Sequence, residues 1–303
     1  MGPFSRFNEL ITGILNSLNT KALDPNHDII LITGGCSGLG SELVKEFVKR
    51  KFLKIIVFDL NLPKHSQSSA IHYYNCDVSN SKRIQELHKD IKRNLGIVTV
   101  VINNAGITIG KPLLEMSFEE VELVIKVNLL SNFYINKTFL PDMINLKRGY
   151  IVTIASVLGY MSPANLTAYG ASKSGLIAFH ESLTHELGSP LDMDKNSNES
   201  IRTLLISPGQ LRTSMFSEVR TPSTMLAPVL EPSWLAQKII DAIEYGTRGE
   251  LIFPMYGNFL PLFRSLPWPI THFVRLLSGM DQSMRRWNSR VLENENLENS
   301  DNT

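Results

Sequence analysis

From residue 29 onward, short apolar runs rich in β-branched side chains alternate with longer stretches whose apolar residues recur every three to four positions. The short runs are Ile29–Thr33, Lys54–Asp59, Ile71–Cys76, Val98–Asn103, Tyr150–Ser156, Ile201–Ser207 and Glu250–Phe253. Between them, helical spacing predicts helices over 38–51, 81–94, 117–140, 168–187 and 233–245. Short apolar strands alternating with helices predict one α/β domain: a doubly wound parallel sheet of about seven strands, with helices on both faces. One interval departs from the rhythm. Only 17 residues separate Asp59 from Asp77, and Pro63, Ser66, Ser68 and Ser69 interrupt them, so that crossover helix is expected to be stunted or missing.

The flanks read differently. Residues 3–18 line up Phe4, Phe7, Leu10, Ile11, Ile14, Leu15 and Leu18 along one helical face. That amphipathic helix either docks on its own domain or lies in a membrane interface. The resulting division is 1–25 for the helix and its linker, 26–255 for the α/β domain, 256–289 for an apolar C-terminal extension, and 290–303 for a polar tail expected to be disordered. Residues 189–200 form a polar surface loop, and there is no internal repeat.

Composition narrows the function classes. Thirty basic and 29 acidic side chains leave a net charge of +1, which speaks against nucleic acid or another polyanion as partner. Hydrophobic residues at 43% and charged residues at 19% are ordinary globular values, so the candidate chemistry must come from motifs. The two cysteines, Cys36 and Cys76, have no metal-ligand spacing; no metal is expected, and both read as small reduced fillers. No apolar run reaches the length of a membrane span, and the N-terminus lacks the basic-then-apolar plan of a secretory signal.

Thr33-Gly34-Gly35-Cys36-Ser37-Gly38-Leu39-Gly40 follows the first strand and opens a helix. Glycines there permit a tight turn and close approach of backbone to a pyrophosphate, which the helix N-terminus favours electrostatically. Asp59 ends the second strand 19 residues beyond Gly40, where a carboxylate can accept hydrogen bonds from adenosine ribose hydroxyls. It would repel a 2′-phosphate, so NAD(H) is favoured, while Lys64 and His65 keep NADP(H) possible. Asp77 and Val78 end the third strand and could flank the adenine; Asn103-Asn104-Ala105-Gly106 ends the fourth and suits a backbone lying against the cofactor.

Farther on stand Asn128, Ser156 and Tyr169-Gly-Ala-Ser-Lys173, the tyrosine and lysine four apart on one helical face. Together these motifs closely resemble the short-chain dehydrogenase/reductase family over roughly residues 28–255. The family's glycine-rich loop matches Thr33, Gly34, Gly38 and Gly40, and its Asn-Asn-Ala-Gly motif matches 103–106. Its catalytic tetrad matches Asn128, Ser156, Tyr169 and Lys173; its Pro-Gly motif matches Pro208-Gly209, with Thr213 placed for the nicotinamide carboxamide. The resemblance implies a Rossmann-like fold and hydride transfer with a tyrosine general acid/base. Tyrosine near pKa 10 would need about 4 kcal/mol of preferential phenolate stabilisation to act at neutral pH, with Lys173 and the oxidised nicotinamide as available charges. Ser156 would orient the substrate oxygen, Lys173 would also hold the nicotinamide ribose, and Asn128 would bend a helix and hold a relay water. The helices at 117–140 and 168–187 are those the family pairs in a homodimer, although the sheet could equally take their apolar faces.

Three stretches, 132–141, 149–156 and 221–232, look like the branch of retinol and hydroxysteroid dehydrogenases that sit on endoplasmic reticulum or lipid droplets. The last falls at the family's substrate lid, and Leu158, Met161, Met215, Phe216 and Met225 would line a greasy site for an aliphatic, isoprenoid or steroid-like alcohol. Residues 251–277 are strongly apolar, yet four prolines with Arg264 and Arg275 oppose a spanning helix. They suit a membrane interface or a cap on the pocket entrance, and both could hold at once. The expectation is a membrane-associated enzyme of lipid metabolism with its domain in the cytosol, on endoplasmic reticulum or lipid droplet, or a mitochondrial one. The rival readings are an NADPH-dependent lipid ketone reductase and a catalytically silent nucleotide sensor or scaffold on a lipid surface.

Overall fold

A computed structural model describes residues 23–65, 68–188, 200–216, 219 and 228–285. The stretch at 3–18, nearly all of the loop at 189–200, Met225 and the tail from 290 lie outside them.

Seven strands form one parallel sheet: β1 (Ile29–Thr33), β2 (Lys54–Asp59), β3 (Ile71–Asn75), β4 (Val100–Asn103), β5 (Gly149–Ile154), β6 (Ile201–Pro208) and β7 (Gly249–Phe253). Their spatial order is β3-β2-β1-β4-β5-β6-β7. Alternation along β1 sends Ile30 and Ile32 to one face and Ile29 and Leu31 to the other, and β4 divides Val100 and Ile102 from Val101 in the same way. On the first face pack α1 (Gly38–Lys49) through Leu39, Leu43 and Phe47, and α6 (Pro232–Glu244) through Leu235, Ile239 and Ile243. The second face receives Ile84, Leu87 and Ile91 of α2 (Ser81–Asn94), Ile135, Phe139 and Met143 of α4 (Ser131–Leu146), and Leu183 and Leu187 of α5 (Thr167–Leu187). Each fully buried leucine, isoleucine or phenylalanine contributes about 1.5–3 kcal/mol. These two apolar layers hold the strand ends in register, and the site sits at those ends.

Local chemistry sets the helix starts. Asn80 accepts the Lys82 and Arg83 backbone N–H groups at 3.1 Å, and Ser117 with Glu120 forms a reciprocal capping box ahead of α3 (Phe118–Ile125). Between Asp59 and Ile71 no helix forms among the described residues, consistent with the short, proline-interrupted interval.

The helical stretch at 117–140 differs from its expected form. It opens into a π-helical turn over Lys126–Leu130, with Asn128 at its centre, and then runs on through Pro141 to Leu146. Pro141 points to solvent, while Met143 extends the buried stripe of Ile135 and Phe139, so packing carries the helix past its break. β5 also stops at Ile154, which leaves Ser156 beyond the strand end instead of within it.

Candidate active site

A cavity of about 340 Å³ opens at the carboxyl ends of the strands, where the chain order reverses between β1 and β4. The glycine loop, the Asn104–Gly106 turn, the Ser156 turn, the face of α5 bearing Tyr169 and Lys173, and the loop from Pro208 to Phe216 all border it.

The glycine loop is shaped by contacts that no side chain could share. Gly34 has φ +65°, and a Cβ on Gly40 would lie 2.0 Å from the Gly34 carbonyl oxygen. Ser37 starts α1 without a side-chain cap, leaving first-turn amides facing the cavity with no carboxylate in that turn. A pyrophosphate fits such a cradle, so the residues present suit a dinucleotide. Thr33 works behind the surface: its hydroxyl accepts the Asn104 and Ala105 backbone N–H groups at 3.0 Å each. Asn104 in turn donates to the carbonyls of Thr33 and Gly34, at 3.0 and 3.1 Å. Asp59 accepts the Cys36 N–H at 2.9 Å and the Asn61 N–H at 3.0 Å, tying the loop to the end of β2.

Of the residues expected in this half, Gly34, Ser37, Gly38, Leu39, Asn104, Ala105, Gly106, Pro208, Gly209 and Thr213 line the cavity. Thr33, Gly40, Asp59, Asp77 and Val78 do not. Asp77 instead accepts the Ser79 N–H at 2.8 Å in the turn before α2, and Val78 packs in the apolar layer. Lys64 and His65 are exposed, away from the cavity wall.

Ser156, Tyr169 and Lys173 converge at the floor, and all three are buried. The Ser156 hydroxyl accepts the Leu158 N–H at 3.1 Å and donates to the Pro208 carbonyl at 3.3 Å. Lys173 donates to the Ile154 carbonyl at 2.9 Å, and its ammonium stands 5.8 Å from the Tyr169 ring centre. Asn128 lies behind this floor: its amide donates to the Ile107 carbonyl (2.9 Å) and Ser172 hydroxyl (3.0 Å) and accepts the Ile107 N–H (2.8 Å). Gly106 keeps the space between them, since a Cβ there would sit 3.4 Å from the Asn128 amide oxygen and 3.7 Å from the lysine nitrogen.

Burial dominates the electrostatics of the chain by itself. It pushes the Tyr169 phenol up to about 12, against a smaller downward pull from the Ser156 hydroxyl. It also draws the Lys173 ammonium down to about 8. At neutral pH the lysine is charged and the tyrosine keeps its proton, so the cofactor-free chain does not supply a lowered phenol.

Leu158, Met161, Met215 and Phe216 line the outer wall, and Phe216 meets the Tyr169 ring edge-on at 5.8 Å. Of the rest of that wall, Tyr256 and Leu260 come from the 251–277 segment expected as an interface or a cap on the entrance, whereas Gln210, Leu211, Met280 and Met284 were not anticipated. Gln210, Leu211, Tyr256, Leu260, Met280 and Met284 all face the cavity, and Met284 is buried against Leu166 and Tyr169. The four-residue spacing of Met280 and Met284 after Gly279 was the available signal, but helical spacing alone names no partner surface.

A family model described as short chain dehydrogenase matches residues 28–224. The oxidoreductase YDL114W of Saccharomyces cerevisiae is 43% identical over 270 residues, covering 88% of this chain and 86% of its own. Human 17-beta-hydroxysteroid dehydrogenase 13 is 34% identical over 250 residues, 79% of each chain. Among solved structures, 4-hydroxyisoleucine dehydrogenase complexed with NADH is similar with a TM-score of 0.65 and 28% identity, over 75% of this chain and 96% of that one.

Proposed function

The chain belongs to the short-chain dehydrogenase/reductase family, in the branch that includes 17-beta-hydroxysteroid and retinol dehydrogenases, and from that membership we propose that it oxidises a lipophilic alcohol or reduces its carbonyl partner with a nicotinamide dinucleotide. One observation carries the reading. The Tyr169 phenol, the Ser156 hydroxyl and the Lys173 ammonium share the floor of a cavity that has a glycine cradle on one side and Leu158, Met161, Phe216 and Met284 on the other.

The dinucleotide, when bound, accepts or supplies the hydride. The chain's own residues manage the oxygen. Ser156 donates a hydrogen bond to the substrate oxygen and aims it at Tyr169. In reduction, Tyr169 gives its proton to the oxygen as the C–H bond forms; in oxidation, it takes the hydroxyl proton as that bond breaks. Burial leaves the phenol protonated in the free chain, so proton donation requires no prior ionisation, whereas proton abstraction requires added positive charge beside the ring. Lys173 is the residue near enough to provide part of it and to hold a ribose hydroxyl. Asn128 acts from behind, fixing Ile107 and Ser172 around the lysine. Asp59 at the end of β2 supports NAD(H) over NADP(H), because a carboxylate repels a 2′-phosphate.

The test is turnover on a panel of long-chain, isoprenoid and steroid alcohols and ketones, with NAD(H) and NADP(H) side by side. Activity should fall about 10³-fold in Tyr169→Phe while cofactor binding, followed by nicotinamide fluorescence, is unchanged. Silence of the wild-type chain across the panel with cofactor bound would replace this reading with that of a nucleotide-binding scaffold. Faster turnover with NADPH and ketones would replace the cofactor assignment alone.

A further inference from the structure

Beyond β7 the chain turns through Met255–Phe259 into two helices, α7 (Leu260–Phe263) and α8 (Trp268–Ser278). The far wall of the cavity hangs on α8. Arg275 donates to the Ser162 carbonyl and to Asp281, each at 2.9 Å, and Asp281 also accepts the Ala164 N–H at 2.8 Å. This polar clamp seats the segment that carries Met280 and Met284 into the wall beside Tyr169. The near wall is made by the turn itself, which puts a second phenol, Tyr256, on the cavity. Neither the glycine cradle nor the floor of Ser156, Tyr169 and Lys173 accounts for that hydroxyl.

Local contacts fix the turn. Gly209 donates its N–H to the Phe253 carbonyl at 2.6 Å, and Gly257 donates to the Pro254 carbonyl at 2.9 Å. The Asn258 amide donates to the Ile252 and Met255 carbonyls at 3.3 and 3.1 Å. Gly257 is packed so closely that a Cβ there would meet Ile252 at 2.4 Å and Val157, the residue after Ser156, at 3.0 Å. Gly209 is bare for a related reason: its Cβ would stand 2.9 Å from the Pro254 ring and 3.3 Å from the Tyr256 hydroxyl oxygen. On the other side of the same step, the Ser156 hydroxyl donates to the Pro208 carbonyl. Through Pro208 and Gly209 the two hydroxyls are therefore at most about 11 Å apart.

The Tyr256 hydroxyl makes no hydrogen bond with any described residue, and burial holds its pKa above the ordinary tyrosine value, so it stands as a neutral donor. Its polar neighbours on the cavity are already engaged, Gln210 with the Phe216 and Val219 carbonyls and Ser278 with that of Arg275. A donor in that state takes its partner from whatever fills the cavity. The dinucleotide belongs to the other end of the Pro208–Phe216 loop, where the Thr213 methyl would meet a Cβ on Gly38 of the glycine cradle at 3.3 Å. That leaves the substrate. Among the described residues the cavity wall carries no Asp, Glu, Arg or His, and Lys173 is its one charged side chain. The partner is accordingly an uncharged oxygen, of a hydroxyl, ether or carbonyl, and not a carboxylate or phosphate.

We propose that Tyr256 is a specificity-determining residue: its hydroxyl donates a hydrogen bond to a second, uncharged oxygen of the substrate, so that the enzyme prefers an oxygenated lipid alcohol to the matching simple one. The inference rests on the alcohol-oxidising reading above. Full-length wild type and Tyr256→Phe, which keeps the ring and so the shape of the wall, would be compared on decanol and on decanediols. The second hydroxyl of each diol would lie one, three or five carbons beyond the first. Turnover is read with the oxidised dinucleotide, and affinity by calorimetry on the protein loaded with the reduced one. Wild type should prefer at least one diol to decanol, and that preference in kcat/KM and in affinity should fall about fivefold in the variant. A wild type that prefers no diol, or a preference that persists in Tyr256→Phe, would overturn the proposal. A diol preference in affinity that the variant loses, in a protein that turns over none of these alcohols, would uphold the contact while the alcohol-oxidising reading fails.

Discussion

Lys173 brings a charge into a place with little water, and the free chain bears the cost. Its ammonium is buried with the Ile154 carbonyl at 2.9 Å, and its pKa falls from 10.5 to about 8. Between those values this lysine holds its proton in the unfolded chain and loses it in the folded one, so its own contribution makes stability rise with pH across that window. Buried Tyr150 and Tyr169 and half-buried Tyr160 have raised values and act the other way once pH passes the ordinary tyrosine range. Cys36 and Cys76, whose thiols burial pushes up to about 11 and about 12, oppose the lysine from about pH 8.5, so its effect is read as a difference: between pH 8 and about 9.5, urea unfolding of the cofactor-free wild type should gain about 1–2 kcal/mol relative to Lys173→Met. Identical pH profiles in wild type and variant would assign the dependence to other groups. The motif spacing placed this lysine correctly beside Tyr169, but its depressed value depends on walls contributed by strands far away in sequence. For the same reason the lowered tyrosine expected from Lys173 is absent in the chain alone: burial outweighs a charge 5.8 Å from the ring centre.

At the scale of an element, the helical stretch after Ser117 departs furthest from its sequence pattern. Apolar spacing gave its start and its buried face, because capping residues and a 3.6-residue period are local properties. Its end was missed because proline ordinarily stops a helix. Here Ile135, Phe139 and Met143 keep burying against the sheet, and the lost bond to the Lys137 carbonyl falls on the solvent side. Pro141→Ala should restore that bond and stabilise the protein by about 1 kcal/mol, raising Tm by about 2–4 °C with turnover unchanged. A calorimetric scan reads it directly, and a lower Tm would mean that the proline shape is built into the packing. The π turn around Asn128 was not visible in the pattern, since one extra residue in a turn leaves the apolar stripe nearly intact.

At the scale of the molecule, the pocket is closed by chain from its far end. Asp281 joins α8 to the loop at 162–164 through Arg275 and the Ala164 amide, while Met280 and Met284 complete the wall near Tyr169. Both clamp partners are about one third exposed, so the charge-assisted bonds are worth no more than about 1 kcal/mol after screening. Asp281→Ala should accordingly raise KM for a long-chain alcohol about fivefold and leave kcat on a short soluble alcohol unchanged. A kcat loss on both substrates would instead show that the clamp holds the catalytic floor.

The amino-acid sequence by itself determined the order of strands and helices, the two-faced sheet, the glycine cradle and the positions of Ser156, Tyr169 and Lys173. The first three follow from periodicity and turn chemistry within short stretches of chain; Ser156, Tyr169 and Lys173 were singled out as a set by the family resemblance their motifs carry. Tertiary structure alone decided that Met280 and Met284 complete the pocket, how its buried pair ionises and which side of the 268–278 helix faces outward. Those properties come from burial by segments more than a hundred residues apart, as when Met284 meets Leu166 and Tyr169. An apolar stripe records that a face will be covered or exposed to something apolar; only the packed chain shows what stands opposite it.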